Sequence, residues 1–170
     1  MKKSWEQIHQ ELSEPFPHED VEWKVQTVSK DKTRGLAVAY ITARAIQNRL
    51  DAAVGAQNWK PVFRQWHTVT DRDGNPIPSQ LCSIQIYDED RHEWLEKTDG
   101  AENTDYEPIK GGLSDAMKRA ASQWGIGRYL YKMETPWVDV EFFGKTAVIA
   151  KKERPGLDKI HDNFVAKLKG

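Results

Sequence analysis

One segment in the second half of this 170-residue chain places basic side chains close to small residues. Five of them fall between positions 110 and 132, namely Lys110, the adjacent Lys118 and Arg119, Arg128 and Lys132. The residues that follow the adjacent pair, 120–122, are alanine or serine. Cations held on a fixed scaffold beside small residues can bind the phosphates of a nucleic-acid backbone. The alternative is that the pair belongs to an ordinary solvated helix face.

The segment that carries this pair, residues 111–131, is predicted to form one amphipathic helix with a glycine-marked exit. Its apolar residues recur at helical spacing and form one stripe: Leu113, Met117, Ala120, Ala121 and Trp124. Ser114 suits the N-cap with Asp115 in the first turn, and Gly125 and Gly127 end the helix. The cation pair lies off the stripe, so the helix is expected to pack by the stripe, Trp124 included, and to present two positive charges.

The composition indicates one soluble globular domain. A hydrophobic content of 38% is enough for a core, and 30% charged residues suit a soluble surface. We expect no membrane-spanning segment and no signal peptide, because the chain becomes polar directly after its first three residues. The single cysteine, Cys82, excludes an internal disulfide and is expected to be a small buried hydrophobe. A reducing, cytoplasmic setting fits this cysteine usage.

The charge is unevenly distributed along the chain, although its net value is only −1. Residues 1–107 contain 13 basic and 19 acidic side chains, whereas residues 108–170 contain 12 and 7. Such asymmetry can mark a nucleic-acid-binding face. It can equally mark a self-association surface where basic and acidic halves meet, and both can hold in one assembly.

Periodicity and turn residues predict an α+β domain with helices on one face of a twisted antiparallel sheet. We predict a helix over 5–12, a strand over 21–28, a strand or helix lead over 36–41, a helix over 43–54, and strands over 59–70, 79–87 and 92–98. In the helix over 43–54, Arg44 and Arg49 are expected to point outward. Residues 99–108 are expected to form a loop that leads into the long helix.

The chain is expected to divide into a core domain, residues 1–136, and a C-terminal part, residues 137–170. Residues 138–150 suit a hairpin with Gly144 at its turn. Residues 158–169 suit either a short amphipathic helix or a partly disordered tail.

No catalytic, metal or cofactor site is expected from the side-chain pattern. The acidic run Asp99, Glu102, Asp105 and Glu107 before Lys110 has the composition of a metal-dependent nuclease set, but its spacing better suits a solvated loop. The five histidines lack ligand spacing, and the chain has no phosphate-binding glycine loop. We therefore expect a binding protein rather than an enzyme. Three aromatic side chains are candidates for stacking on bases, namely Trp66, Tyr87 and Tyr129.

The chain resembles the single-strand annealing proteins of the Rad52/22 superfamily, which includes phage recombinases and bacterial DNA-damage-response relatives. The match is carried by AVAYITARAIQNRLDAAVGAQNW at 37–59 and LSDAMKRAASQWGIGRYLY at 113–131, with a similar opening, SEPFPHEDVEWKV, at 13–25. It covers roughly residues 5–135 in the same element order.

The resemblance implies a β-β-β-α core that assembles into rings, with single-stranded DNA in a basic groove lined by Lys118, Arg119 and Lys110. Relatives often have a further basic residue where this chain has Ser122, and another at Ala45, for which the neighbouring Arg44 can substitute. The DNA-binding residues are therefore expected to be Lys118, Arg119, Lys110, Arg44, Arg49 and Arg128.

The leading hypothesis is a homo-oligomeric ring that binds single-stranded DNA and anneals complementary strands in recombination and double-strand break repair, without a cofactor. A single-strand-binding protein or a recombinase would be a further partner, in the cytoplasm of a bacterium or of a phage-infected cell. The alternatives are a protein that protects single-stranded ends without annealing, and a metal-dependent nuclease.

Overall fold

The computed structural model of the chain describes residues 2–66, 70–103 and 107–170. The helices and strands, in chain order, are α1 (Trp5–Ser13), β1 (Val21–Val28), β2 (Arg34–Ile41), α2 (Ala43–Val54), β3 (Trp59–Trp66), β4 (Ser79–Asp88), β5 (Glu93–Glu102), α3 (Pro108–Gln123), β6 (Trp137–Phe143), β7 (Thr146–Ile149) and α4 (Arg154–Lys169). The α+β class is confirmed. None of the helices in the described ranges is long and apolar enough to cross a bilayer.

Contacts group these elements into two compact units. One unit comprises the residues up to Glu14 and Ala43–Arg128, and the other comprises Pro15–Thr42 and Tyr129–Gly170. The first contains α1, α2, α3 and β3 to β5, and the second contains β1, β2, β6, β7 and α4. The division of the chain at residue 136 remains a prediction.

The first unit contains the predicted three-stranded meander followed by a long helix. Its sheet has the order β3-β4-β5, and both strand pairs are antiparallel with an uninterrupted register. The alternating residues Cys82, Ile84 and Ile86 of the central strand are fully buried. Burial raises the pKa of the Cys82 thiol to about 12, as befits a cysteine that acts as a core residue. The β-β-β-α arrangement is thus confirmed.

The long helix α3 packs on β4 and β5 through small residues. Its buried residues are Gly112, Ala116, Met117, Ala120 and Ala121. Four of the five residues in the predicted stripe are buried, and Leu113 is half-buried. Because alanine and glycine leave little bulk between helix and sheet, the helix backbone can lie close to the strands.

The predicted start of α3 is wrong, whereas its predicted end is confirmed. The helix begins at Pro108, after Glu107 in a left-handed conformation with φ 46°, and Ser114 lies inside it rather than at the N-cap. Proline suits a first helical turn because its missing N–H would have no partner there. At the other end Gly125 and Gly127 have φ of 92° and 70°, which glycine adopts readily.

The predicted loop over 99–108 is also shorter than expected. Strand β5 continues to Glu102, so Asp99 lies in the sheet opposite Cys82. The strand continues because residues 99–102 stay paired with residues 79–82 of β4. Residues 104–106, with Asp105 of the acidic run, lie outside the described residues.

The second unit contains a four-stranded antiparallel sheet in the order β1-β2-β6-β7, which the sequence did not indicate as a separate sheet. Ala37, Val138 and Leu157 form its core, with Trp23, Ile149 and Ile160 packed against them. The 36–41 segment is a strand, and the hairpin with Gly144 at its turn is confirmed. Residues 158–169 are helical, as one of the two alternatives predicted, within the longer helix α4.

Replacing Trp124 should destabilise the first unit. Its side chain is 8% exposed, its ring is stacked with Trp5 at a centroid distance of 6.2 Å, and its indole Nε1 donates to the Ile84 carbonyl at 3.0 Å. We expect Trp124→Ala to lower the free energy of unfolding by about 3–5 kcal/mol. Chemical denaturation followed by far-ultraviolet circular dichroism measures this loss.

The matched control is Trp137→Ala, since Trp137 is 46% exposed. This substitution should change the free energy of unfolding by about 0.5 kcal/mol or less. Equal effects of the two substitutions would contradict the packing role of Trp124.

Candidate nucleic-acid interface

The adjacent cations of α3 differ in exposure and in partner. The Lys118 side chain is 24% exposed, and its Nζ lies 3.2 Å from Asp115 Oδ1 one turn earlier. The Arg119 side chain is 56% exposed, and its Nε donates to Asp99 Oδ1 of β5 at 3.2 Å. Both point away from the buried stripe, but Arg119 presents more of its charged group to solvent.

Asp99 holds Arg119 against the sheet. Burial acts to raise the pKa of Asp99, but hydrogen bonds from the Gly100 amide at 2.8 Å, from Gln123 Nε2 at 3.2 Å and from Arg119 outweigh it. The pKa of Asp99 is therefore below its ordinary value, and the carboxylate is ionised at neutral pH. This ionised carboxylate orients the guanidinium and leaves its other N–H groups available.

Two further cations meet the C-terminal end of α3. Arg128 donates from Nε to the Ser122 carbonyl and from Nη2 to the Gln123 carbonyl, both at 2.7 Å. Lys97 of β5 donates from Nζ to the same Gln123 carbonyl at 3.1 Å and lies 5.0 Å from the Trp124 ring centroid. Carbonyls at a helix C-terminus lack helical partners and carry partial negative charge, so both cations are favourably placed.

Lys97, Arg119 and Arg128 thus form one group, which we call the helix-end cluster. All three side chains are exposed, and Gln123 connects them, since its carbonyl accepts from Lys97 and Arg128 and its amide donates to the partner of Arg119. The cluster carries three positive charges around the one carboxylate of Asp99. Such a group has the charge and the donors to bind a phosphate.

Lys110 lies at the opposite end of α3. Its Nζ is 3.0 Å from Glu107 Oε2, and its side chain is largely exposed. Arg119 follows nine positions later in the helix, which corresponds to about 13 Å along the axis. Lys110 therefore does not belong to the helix-end cluster, although one extended strand of nucleic acid could reach both.

Arg44 and Arg49 of α2 have different environments. Arg44 is exposed and has no ion pair with another described residue. Arg49 donates from Nη1 to the Glu11 carbonyl at 3.0 Å, to the Leu12 carbonyl at 3.4 Å and to the Glu14 carbonyl. Arg49 thus closes the C-terminal end of α1, a structural role that its predicted outward position did not indicate.

The remaining sequence candidates are distributed as follows. Trp66 is exposed, Tyr87 is half-buried against Trp94 at 5.3 Å between centroids, and Tyr129 is buried with its hydroxyl bonded to His161. Tyr129 therefore cannot stack on a base in this structure. No group of three metal-ligating side chains occurs within residues 2–66, 70–103 and 107–170.

Sequence reasoning missed Lys97. Its position in β5 gives it no helical spacing to the cations of α3, and the two elements meet only in the folded chain. The one available signal was its spacing of two residues from Leu95 and from Asp99, which places all three side chains on the same face of the strand. That signal has meaning only once the end of α3 is known to lie over this part of the sheet.

The sequence matches the model of a DNA repair family over most of its length. The chain belongs to the Rad52/22 family of double-strand break repair proteins, whose family model matches residues 4–147. It is similar to the single-stranded DNA-binding protein DdrA of Deinococcus radiodurans, with 35% identity over 132 residues, which cover 78% of this chain and 58% of the relative.

A second relative gives the same result. The single-stranded DNA-binding protein DdrA of Deinococcus deserti is 35% identical over 131 residues, which cover 77% of this chain and 60% of the relative. The chain thus spans about three-fifths of the length of the curated relatives it matches. The resemblance indicated by the sequence is confirmed at the level of the family.

The two arginines of α2 provide a matched test of these assignments. Arg49→Ala removes the donor to three carbonyls and should lower the free energy of unfolding by about 1–3 kcal/mol. Arg44→Ala removes an exposed side chain and should change it by about 0.5 kcal/mol or less. Urea denaturation of the two variants measures the difference, and equal stability would contradict the capping role of Arg49.

Proposed function

We propose that the protein binds single-stranded DNA through phosphate contacts along α3 and, as a homo-oligomeric ring, anneals complementary strands in double-strand break repair. The observation that carries the proposal is the helix-end cluster of Lys97, Arg119 and Arg128 on a rigid helix–sheet support. Lys118 and Lys110 extend the basic surface along the helix, and Arg44 is a further candidate on α2.

The chemistry of the cluster suits a phosphate backbone. A guanidinium has five N–H groups, and the contacts within the protein use only some of those on Arg119 and Arg128. The remaining donors can bind phosphate oxygens, and each neutralised phosphate releases counterions. Affinity from this source does not depend on base sequence, as a protein that acts on any broken end requires.

The comparisons support the same proposal. Both relatives are named as single-stranded DNA-binding proteins, and the family is described as one of double-strand break repair. Because the chain spans about three-fifths of those relatives, their activity is transferred here only as a proposal.

Annealing and self-association follow from how such a surface would work. Phosphate contacts hold a strand while leaving base edges accessible to a second strand. A subunit with a net charge of −1 has only a local basic surface, so one site would bind weakly. A ring places many such sites along one strand, and multivalency raises the total affinity without new contacts.

A protein that binds single strands without annealing them is the second candidate. The names of the two relatives favour it, since they state binding and not annealing. Annealing of a labelled oligonucleotide to its complement distinguishes the two candidates. We expect the protein to accelerate duplex formation, and binding without acceleration would favour end protection.

The salt dependence of binding tests the groove residues. In the double variant Lys118→Ala and Arg119→Ala, affinity for a labelled oligothymidine should fall, and the slope of log affinity against log salt should decrease by about 0.7 for each lost phosphate contact. Arg119→Ala alone should account for most of the loss, because Arg119 is the more exposed of the pair. Fluorescence anisotropy at several salt concentrations measures both quantities.

The control for this measurement is the double variant Lys159→Ala and Lys167→Ala, which removes two exposed lysines from α4. It should retain the slope of the unmodified protein. An unchanged affinity and slope in the α3 variant would overturn the assignment of α3 to the DNA-binding surface.

A further inference from the structure

A hairpin in the second unit, to which the proposed function assigns no role, presents aromatic side chains to solvent. Strands β6 and β7 form it, and Gly144 and Lys145 join them. Within the described residues, β6 pairs with β2 only from Trp137 to Asp139, and the rest of β6 pairs with β7. Residues 141–148, which we call the hairpin tip, are therefore a two-stranded ribbon at the end of the sheet.

Two adjacent phenylalanines occupy the hairpin tip. Phe142 is 42% exposed and Phe143 is 67% exposed. Consecutive residues of a strand point to opposite faces, so one ring lies on each side of the ribbon. Gly144 follows with φ of 62°, which suits the first central position of a two-residue hairpin turn. The rings are thus held on a short closed ribbon rather than on a long loop.

A basic turn lies beside this hairpin. Because β2 and β6 are antiparallel, the turn that precedes β2 runs alongside the second half of β6, and the Val140 amide donates to the Thr33 carbonyl at 3.3 Å. Lys30 and Lys32 of this turn are exposed, as is Lys145 of the hairpin. None of these three lysines forms an ion pair with another described residue. Their charges are therefore available to a ligand of the hairpin tip.

The surroundings of the tip carry a positive charge on balance. The turn over 29–34 and the hairpin over 137–149 also contain Arg34 and the carboxylates Asp31, Asp139 and Glu141. Lys152 pairs with Asp139 and so belongs to the same surface. Five basic and three acidic side chains leave an excess of two positive charges. An anionic partner fits this surface better than a cationic one.

The size of the aromatic surface favours a nucleotide over a protein. At their exposed fractions the two rings offer about 200 Å² in all. A standard protein interface buries about 800 Å² on each partner. A single-stranded nucleic acid instead offers a flat base beside a phosphate in every nucleotide, and known proteins bind it with aromatic rings and cations together.

We infer that the hairpin tip stacks Phe142 and Phe143 on bases of single-stranded DNA, while Lys145 and the lysines of the basic turn bind neighbouring phosphates. The inference rests on the proposed function and adds a contact to bases, which the cations of α3 do not make. Stacking covers the face of a base and leaves its pairing edge accessible, so it is compatible with annealing. Every base has such a face, and the contact therefore tolerates any sequence.

An abasic strand separates stacking from phosphate binding. Fluorescence anisotropy compares labelled oligothymidine with a labelled strand of the same length and charge that lacks bases. Phe142→Ala with Phe143→Ala should lower the affinity for oligothymidine about fivefold or more, because the stacked bases lose their partners. The affinity of this variant for the abasic strand, and its slope against salt, should equal those of the unmodified protein.

Three further variants distinguish stacking from packing of the hairpin. Phe142→Leu with Phe143→Leu keeps apolar bulk without a ring and should lose most of the same affinity. Phe142→Tyr with Phe143→Tyr keeps both rings and should retain it. Trp137→Ala removes a ring of similar exposure from the other end of β6 and should also retain it. Circular dichroism of each variant confirms that the sheet has folded.

The outcomes separate this inference from the proposed function. Unmodified protein that fails to bind oligothymidine would overturn both. Equal affinity of the unmodified protein for the two strands, or full affinity of the alanine variant for oligothymidine, would overturn only the stacking. An equal loss for both strands would assign the hairpin tip to the backbone. A lower mass of the alanine variant in light scattering would assign it to a protein contact, and either result would overturn the inference.

Discussion

Close packing of α3 on β4 and β5 determines where the charges of the candidate interface lie. Ala116, Ala120 and Ala121 are fully buried, so little side-chain volume separates the helix from the sheet. Trp124 then ends the contact, with its indole bonded to the Ile84 carbonyl. Because the helix stops at this point over the sheet, Lys97 of β5 can reach the carbonyl of its last residue, Gln123. The basic surface is thus a consequence of how a helix of small residues ends.

The same side chains of the helix-end cluster stabilise the end of α3 and hold positive charge at the surface. Its cations satisfy carbonyls that have no partner within the helix, and Asp99 orients Arg119. These contacts reduce the side-chain freedom that a phosphate would otherwise have to remove on binding. The carboxylate offsets one of three positive charges, so the cluster keeps an excess of two beside the negative end of the helix dipole. The repulsion between the three cations is thereby lowered, and the cluster keeps its positive charge.

Local patterns in the sequence predicted those features that depend on neighbouring residues. The stripe of α3 and its glycine exit follow from spacing within one helix, and both are present. The helix start was misplaced because Ser114 followed by Asp115 suits an N-cap, whereas Ser114 lies inside a helix that begins at Pro108. Lys97 and Arg49 act on carbonyls contributed by other elements, and the second sheet pairs Arg34 with Asp139 across most of the chain. Spacing within one segment carries no information about such contacts.

Ser122 stands at a position where the family resemblance implies a basic residue, and the fold brings Arg128 to the same turn of the helix. Where the family resemblance implies a basic residue in the next turn of α3, this chain has a serine whose hydroxyl donates to the Arg119 carbonyl. The carbonyl of the same serine accepts from Arg128, which follows the glycine exit. A cation is thus present at this turn, but it comes from beyond the helix and is held by backbone atoms. Its position depends on the left-handed glycines at 125 and 127, so the exit of the helix is part of the candidate interface as much as the helix is.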